Sequence, residues 1–206
     1  MSAALPPKDQ RLVAFVSAIA RGAWGELHAC VRAAPAGEPD DEWREAILQS
    51  HLFLGFPRIV EAFEQLAADG GLQPGGPLHG ERDSETTRGE GDALFDCIYG
   101  DLSDKVRRRL RQHHGHFADW IAEHAYGRVL SRPGLDGARR ELLALVCLAL
   151  GHLDRQFASH CRGALRLGAT RAQVLAVLTS QREYLDADTF DRLESLARHY
   201  TAPDQV

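Results

Sequence analysis

A weak internal repeat restricts this chain to a fold built from two similar units. When the sequence is aligned with itself so that Leu12 meets Leu142, several other positions near its start also meet identical residues. Self-similarity at a fixed offset is the pattern of a duplicated supersecondary unit. We therefore expect two helical units around a pseudo-two-fold axis, with chance similarity between amphipathic helices as the alternative. The identical pairs at this repeat offset are Leu12 with Leu142, Ala14 with Ala144, Val16 with Val146, Arg32 with Arg162, Ala34 with Ala164, Ala46 with Ala176, Leu48 with Leu178 and Ser50 with Ser180.

Apolar residues recur at helical spacing, and no segment alternates as a strand does. Phe117, Trp120 and His124 lie at i, i+3 and i+7, which is one face of a helix. The sequence predicts a single helix over residues 116–130 around them. Because the period-two alternation of strands is absent throughout, we predict an all-α protein.

A Gly- and Pro-rich segment from Gly71 to Gly91 separates the two copies. Such a composition interrupts helices and is typical of a connector. We predict a first helical unit over residues 1–70, a connector over 71–91, and a second unit over 92–206 that begins with a short helix from Asp92 to Tyr99. The connector is either a surface loop or a lid over a site.

The charge and hydropathy of the chain exclude several classes of protein. Its 206 residues carry a formal net charge of −5, which argues against a general binder of nucleic acids or anionic membranes. Its longest apolar run, residues 142–150, is much shorter than the roughly 20 residues that cross a bilayer. The first twelve residues contain charged side chains and no apolar signal-peptide core. We therefore expect a cytoplasmic protein with no membrane or nucleic-acid partner.

The cysteines and histidines do not form a recognisable metal or disulfide pattern. None of the four cysteines belongs to a Cys-x-x-Cys motif, so we expect reduced thiols. The cluster at residues 113–116 has three histidines but no acidic or thiol residue nearby, and we predict no metal site there. The cysteines are Cys30, Cys97, Cys147 and Cys161.

Glu141 and His160 are the strongest candidate catalytic residues. Each lies on the apolar face of a predicted helix, and the two helices are neighbours in the sequence. An acid and an imidazole that meet in a semi-buried pocket can transfer protons. The alternatives are a surface carboxylate paired with an arginine and a core histidine bonded to a backbone carbonyl.

The region from about Gly89 to Leu178 resembles the carboxymuconolactone decarboxylase family, which includes the alkyl hydroperoxidase D-like proteins. The resemblance implies the helical alkyl hydroperoxidase D-like fold, built here from two related units. It also implies a symmetric homo-oligomer, because members of this family form closed rings of subunits. The motifs that carry it are Tyr126-Gly127, Arg132-Pro133-Gly134-Leu135, Arg140-Glu141-Leu142, and His160 followed by Gly163-Ala164 and Gly168.

The decarboxylase branch of the family implies a chemistry that needs neither a metal nor an organic cofactor. Loss of carbon dioxide from a carboxylated lactone leaves an enolate that must be protonated, so we assign proton transfer to Glu141 and His160. Arg132 and Arg140 are the candidate anchors for a carboxylate that stays on the substrate, because guanidinium groups bind carboxylates bidentately. For Arg132, which precedes Pro133-Gly134, the alternative is that it only braces a loop. Tyr126 is a further candidate for substrate binding, with core packing as its alternative. The expected partner is a small carboxylate substrate from the degradation of aromatic compounds.

The hydroperoxidase branch implies a different function, a thiol-dependent peroxide reductase. That reaction needs a cysteine pair, and on the His160 helix this chain has Cys161 alone. A third hypothesis is a non-catalytic relative that binds a small acid.

The two copies of the repeat differ at the functional positions. At the repeat offset, Arg11 stands opposite Glu141 and Cys30 opposite His160. The family's aromatic-x-Gly-Phe-Pro segment occurs here as residues 53–57, in the first copy alone. We therefore place the chemistry in the second unit.

Overall fold

The computed structural model describes residues 5–36, 40–68, 70–72 and 83–202, and within them the chain is helical with no strand. A helix of π type, Ile121–Leu130, follows α6, and short 3₁₀ turns occur at Gly100–Leu102 and Arg182–Tyr184. The all-α prediction is confirmed. The α-helices are α1 (Pro7–Arg21), α2 (Trp24–Arg32), α3 (Asp40–Ala68), α4 (Ser84–Tyr99), α5 (Ser103–His113), α6 (Gly115–Trp120), α7 (Gly137–Leu150), α8 (Asp154–Arg166), α9 (Arg171–Ser180) and α10 (Ala187–Tyr200).

The helices repeat in the order that the sequence predicts. At the repeat offset, the first residues of α1 and α2 coincide with the first residues of α7 and α8. Helix α3 corresponds to α9 and α10 together. Its backbone leaves helical geometry at Gly55 (φ 77°, ψ 160°), and the matching position in the second unit is Leu185, between the 3₁₀ turn and α10. The chain therefore consists of two related helical units.

The two units share one hydrophobic core. Helix α1 packs against α7, its counterpart in the second unit, and α3 also packs against α7. The buried apolar side chains of α1 and α7 lie together in one cluster that continues into α3, α8, α9 and α10. Because this core contains side chains from both units, it fixes the position of one unit against the other. Its central members are Phe15, Val16 and Ile19 from α1 and Leu145, Val146 and Leu148 from α7.

A second, smaller layer is built where α4 crosses the π-helix. Gly91 on α4 and Gly127 on the π-helix approach so closely that a Cβ atom on Gly91 would lie 2.6 Å from the Gly127 nitrogen. Phe95, Ile98 and Tyr126 are buried beside this crossing. The absence of side chains at both glycines lets the two backbones touch, and this contact brings Tyr126 against α4.

The predicted start of the short helix at Asp92 is wrong. Helix α4 begins at Ser84 rather than at Asp92, because the Asp83 side chain caps it by accepting a hydrogen bond from the Thr86 amide at 2.8 Å. Residues 84–91, which we placed in the connector, are thus helical. Residues 73–82 lie outside the described residues, so the connector, its role as loop or lid, and the division into units at 71–91 stay predictions.

The predicted single helix over residues 116–130 is two helices of different type. The α-helical part ends at Trp120 and the next ten residues form the π-helix. The apolar spacing in the sequence indicates a helical face but does not distinguish these two windings. A π-helix widens the turn, and here its Gly127 lies against the Thr87 carbonyl of α4.

Among the helices that the structure describes, none is both long enough and apolar enough to cross a membrane.

Replacing Gly91 with Ala should destabilise the fold, because the new methyl group has to displace the backbone of the π-helix. We expect the free energy of unfolding to fall by about 1–3 kcal/mol, measured by urea denaturation. Gly89 is the matched control, because it lies on the same helix and a Cβ atom there meets no atom within 4 Å. Gly89→Ala should be neutral or stabilise by up to about 1 kcal/mol. Equal effects of the two substitutions would contradict the close crossing.

Candidate active site

Glu141 and His160 form a direct contact in the interior of the second unit. The Nδ1 atom of His160 lies 2.8 Å from Oε2 of Glu141. Glu141 is 1% exposed, and the His160 side chain retains 12% of its exposure. The structure thus brings together the two residues that the sequence places on neighbouring apolar faces, while their catalytic roles stay predictions.

Helices α7 and α8 position this pair through a tight connection. The Asp136 side chain caps the start of α7 by accepting a hydrogen bond from the Arg139 amide at 2.9 Å. Helix α7 then ends at Gly151, and α8 begins within a few residues. The two helices therefore pack side by side, with Glu141 facing His160 and Gly163.

Gly163 is necessary for this approach. A Cβ atom at this position would lie 2.5 Å from Oε2 of Glu141 and 3.2 Å from a methyl carbon of Ile98. Real Cβ atoms do not come this close to other atoms, so any other residue would push the carboxylate away from His160. Gly163 belongs to the motif that indicated the family. The amino-acid sequence alone does not show this steric role.

The charge of Glu141 controls the protonation of His160. Burial lowers the pKa of the imidazole, but the negative charge of Glu141 and its hydrogen bond raise it, and the net pKa lies above the usual value. The pair therefore makes its full contribution to the stability of the fold when the pH is below about 6.5, the pKa of a histidine in the unfolded chain. That contribution is lost as the pH rises through the raised pKa of His160. The raised pKa extends the pH range over which His160 keeps its second proton.

Two tyrosines lie close enough to Glu141 for its charge to affect them. The hydroxyl of Tyr126 donates to that of Tyr99 at 3.2 Å. Burial raises the pKa of both phenols, strongly for Tyr126, and the charge of Glu141 adds to the effect. Tyr126 is thus a buried, neutral phenol close to the pair, and its predicted role in substrate binding stays a prediction. Tyr99 was not identified from the sequence, because it lies on a helix outside the motifs.

The first unit supplies one wall of the site in the second. The Phe53 ring packs edge-on against the His160 ring, with centroids 5.6 Å apart. Phe53 begins the Phe-Leu-Gly-Phe-Pro segment that occurs in the first copy alone, and this segment ends the first half of α3 at Gly55. The sequence places Phe53 in the first unit, far from His160 along the chain, so their contact was not predicted.

Arg132 and Arg140 are engaged by a carboxylate of the protein itself. Arg140 Nη2 donates to Glu45 Oε2 at 2.8 Å, and Arg132 donates to both oxygens of Glu45 at 2.8–3.1 Å. Arg140 also exchanges hydrogen bonds with Gln49. Arg140, Glu45 and Gln49 are all buried. This cluster links α3 of the first unit to α7, and the role of either arginine as a substrate anchor stays a prediction.

The stabilisation of the fold by the Glu45 cluster also depends on pH. Burial raises the pKa of the Glu45 carboxyl, but the hydrogen bonds and charges of Arg132 and Arg140 lower it, and the net pKa is below the usual value. Its stabilisation is therefore present above the unfolded pKa and is lost as the pH falls through the folded pKa. Removing Glu45 would leave Arg140 as a buried charge without its carboxylate.

Cys161 does not have the properties of a reactive thiol. It is completely buried, and burial together with the charge of Glu141 raises its pKa to about 12. Since the thiolate is the nucleophile in thiol chemistry, Cys161 is poorly suited to attack a peroxide. All four cysteines are free.

Comparison with known proteins decides the family. The family model for carboxymuconolactone decarboxylases matches residues 2–68 and 115–198, which is most of the chain. The chain belongs to the carboxymuconolactone decarboxylase family. The two matched segments lie in the two repeated units. The first segment includes Phe53, and the second includes Glu141 and His160.

A curated relative shows a more distant similarity. Peroxisomal protein 2 of Schizosaccharomyces pombe is 28% identical over 137 residues, which cover 65% of this chain. The match spans 63% of the length of that protein. Its name states a location and no activity.

Replacing Glu141 with Gln should lower the pKa of His160. Both effects that raise this pKa come from the carboxylate, while the burial that lowers it would remain. We expect the pKa to fall below the usual value of about 6.5, measured by NMR titration of the imidazole signals. The exposed His199 is the internal control, and its signals should be the same in the wild type and the variant. An unchanged or higher pKa of His160 would contradict the assigned contact.

Proposed function

We propose that this protein is a cofactor-free decarboxylase that acts on a carboxylated lactone or a related intermediate of aromatic-compound degradation. The buried contact between Glu141 and His160 carries the proposal, because it holds an imidazole with a raised pKa in a site of low solvent access. Membership of the carboxymuconolactone decarboxylase family supports the reaction class.

In this proposal His160 is the proton donor and Glu141 orients it. The bond between the substrate carbon and its carboxylate breaks, carbon dioxide leaves, and the electron pair passes into an enolate. A proton from Nε2 of His160 then converts the enolate to the product. Glu141 holds Nδ1 and stabilises the imidazolium before transfer, and solvent restores the proton afterwards.

The apolar surroundings would favour the step that breaks the bond. Phe53 and Ile98 lie beside the pair, and they would replace water around the carboxylate that leaves. Water stabilises a localised carboxylate charge more than it stabilises the delocalised charge of the transition state. Apolar side chains that exclude water therefore lower the activation barrier of decarboxylation.

The substrate anchors are a separate part of the proposal. The Arg132 side chain is 21% exposed although it is paired with Glu45. The Nε atom of Arg140 is buried without a hydrogen-bond partner among the described residues. A substrate carboxylate held by these arginines would compete with Glu45, and Tyr126 would contribute its hydroxyl from the opposite side.

The kinetic test compares the second unit with the first. Glu141→Gln and His160→Gln should each lower kcat on γ-carboxymuconolactone by about a hundredfold or more, because each removes a part of the proton-transfer pair. The matched controls are Cys30→Ser and Arg11→Gln, at the equivalent positions of the first unit. These controls should retain kcat near the wild-type value.

The other outcomes of this test identify the alternatives. Equal losses in all four variants would show that the chemistry is not confined to the second unit. Wild-type protein that binds the lactone in calorimetry but releases no carbon dioxide would favour the non-catalytic small-acid binder.

The competing function, a thiol-dependent peroxide reductase, predicts an activity that we expect to be absent. Hydrogen peroxide should not be consumed with dithiothreitol as reductant, because the one cysteine beside His160 is buried with a raised pKa. Peroxide consumption that disappears in Cys161→Ser, but persists in the exposed-thiol control Cys97→Ser, would favour the reductase instead.

We also propose that the chain forms a symmetric homo-oligomer. Phe56, Phe117 and Trp120 are large apolar side chains that are 52–66% exposed. They lie close to one another, because Phe56 stacks on His51, and His51 contacts His124 one turn beyond Trp120. Such a patch is typical of an interface. The cytoplasmic location expected from the sequence stays a prediction, since the curated relative is named as a peroxisomal protein.

Light scattering at micromolar concentration should give a mass that is a multiple of the 22.7 kDa chain. Trp120→Glu should shift the protein towards that single-chain mass, because a charge cannot be buried in the contact without a partner. Arg171→Glu, an exposed position on α9, is the control and should leave the mass unchanged. A wild-type mass of one chain would refute the assembly.

A further inference from the structure

A cavity of about 580 Å³ lies between the two units, away from Glu141 and His160. Helices α1 and α2 form one side of it, and α9 with the 3₁₀ turn Arg182–Tyr184 forms the other. Its floor contains apolar side chains, among them Val13, Leu175 and Ala176. The volume falls within the range of ordinary small-molecule sites, about 300–1,000 Å³.

The cavity occupies the position in the first unit that the candidate active site occupies in the second. At the repeat offset, Cys30 in the cavity corresponds to His160, and Glu183 corresponds to Phe53, the ring that packs on His160. The proton-transfer pair is therefore absent from this half, where Arg11 and Cys30 stand in place of Glu141 and His160.

The polar groups that line the cavity are already bonded to one another. Ser17 donates to Gln181 Oε1 at 2.7 Å, and Gln181 donates to Ser180 at 2.8 Å. Arg21 forms a bidentate ion pair with Glu26, and its guanidinium lies 3.6 Å from the centroid of the Tyr184 ring. Among the described residues of the lining, these contacts leave no strong donor to hold an anion.

The charge balance disfavours acids in particular. The ionic groups of the lining are the cation Arg21 and the anions Glu26 and Glu183. A ligand carboxylate would meet a net negative charge and would have to displace Glu26 from Arg21. A neutral ligand would only bury its apolar surface against the floor, which is favourable.

We infer that this cavity is a second ligand site, which binds a neutral and largely apolar small molecule, such as a monocyclic or bicyclic aromatic compound. Cys30 lies in its wall and is half-buried. Because burial raises the pKa of the Cys30 thiol, it packs against the ligand as a neutral group. The inference does not depend on the decarboxylase proposal, since it uses no residue of the Glu141 site.

The binding test uses 1-naphthol as the neutral probe and 1-naphthoate as its charged counterpart. Calorimetry on the full chain should show one 1-naphthol bound per chain, and 1-naphthoate should bind at least about tenfold more weakly. Equal affinity for the two probes, or no 1-naphthol binding at millimolar concentration, would overturn the inference.

The location is tested by filling the cavity from its exposed edges. Ala14→Phe and Ala172→Phe each add a ring at a lining position whose residue is exposed, so the fold should tolerate them. Both should weaken 1-naphthol binding by about tenfold or more. The matched control is Ala67→Phe, an exposed position on α3 outside the cavity. Equal binding in all three variants would place the ligand elsewhere and refute the site.

The thiols provide an independent readout. Bound 1-naphthol should slow the labelling of Cys30 by N-ethylmaleimide, followed by mass spectrometry of the peptides. The exposed Cys97 should be labelled at the same rate with and without the probe. Loss of protection in Ala14→Phe would support the cavity, whereas equal protection of both cysteines would contradict it.

Discussion

The burial of Glu141 against His160 is the interaction on which the arrangement of the second unit depends. A carboxylate that is 1% exposed requires a partner within hydrogen-bond distance, and the imidazole on α8 provides it at 2.8 Å. The two helices reach this distance because Gly163 has no side chain to separate them. The same contact raises the pKa of His160. One packing constraint thus fixes the helix spacing and raises the pKa of the imidazole.

The duplicated fold divides its tasks between the two units. The second unit holds the contact between Glu141 and His160. The first unit supplies Phe53, which packs on His160, and Glu45, which binds Arg140 of α7. In the first unit the equivalent place is a cavity whose described lining has no acid–base pair of this kind. Each unit therefore depends on the other, because the shared core between α1 and α7 holds both sites in place. The family's aromatic segment occurs once, and its Phe53 packs on His160 of the other unit.

The sequence predicted what is local or periodic and missed what depends on distant contacts. The helical character of the chain follows from apolar spacing over a few residues, and the order of the helices follows from the internal repeat. The structure confirms both. The meeting of Glu141 and His160 was predictable because their helices are neighbours. The contact of Arg140 with Glu45 joins residues far apart in the chain, so the sequence indicated a substrate anchor at Arg140 and did not reveal its carboxylate partner. The π-helix depends on the contact of Gly127 with α4, which helical spacing does not encode.

The central claim is that His160 delivers the proton to the substrate carbon. The most direct measurement is the decarboxylation of γ-carboxymuconolactone in deuterium oxide, with the position and face of the deuterium in the product determined by NMR. A single imidazole held by Glu141 should place one deuterium on one face of one carbon, and His160→Gln should lose this facial preference in its residual turnover. A product labelled equally on both faces by the wild type, or the same facial preference in His160→Gln, would contradict the account.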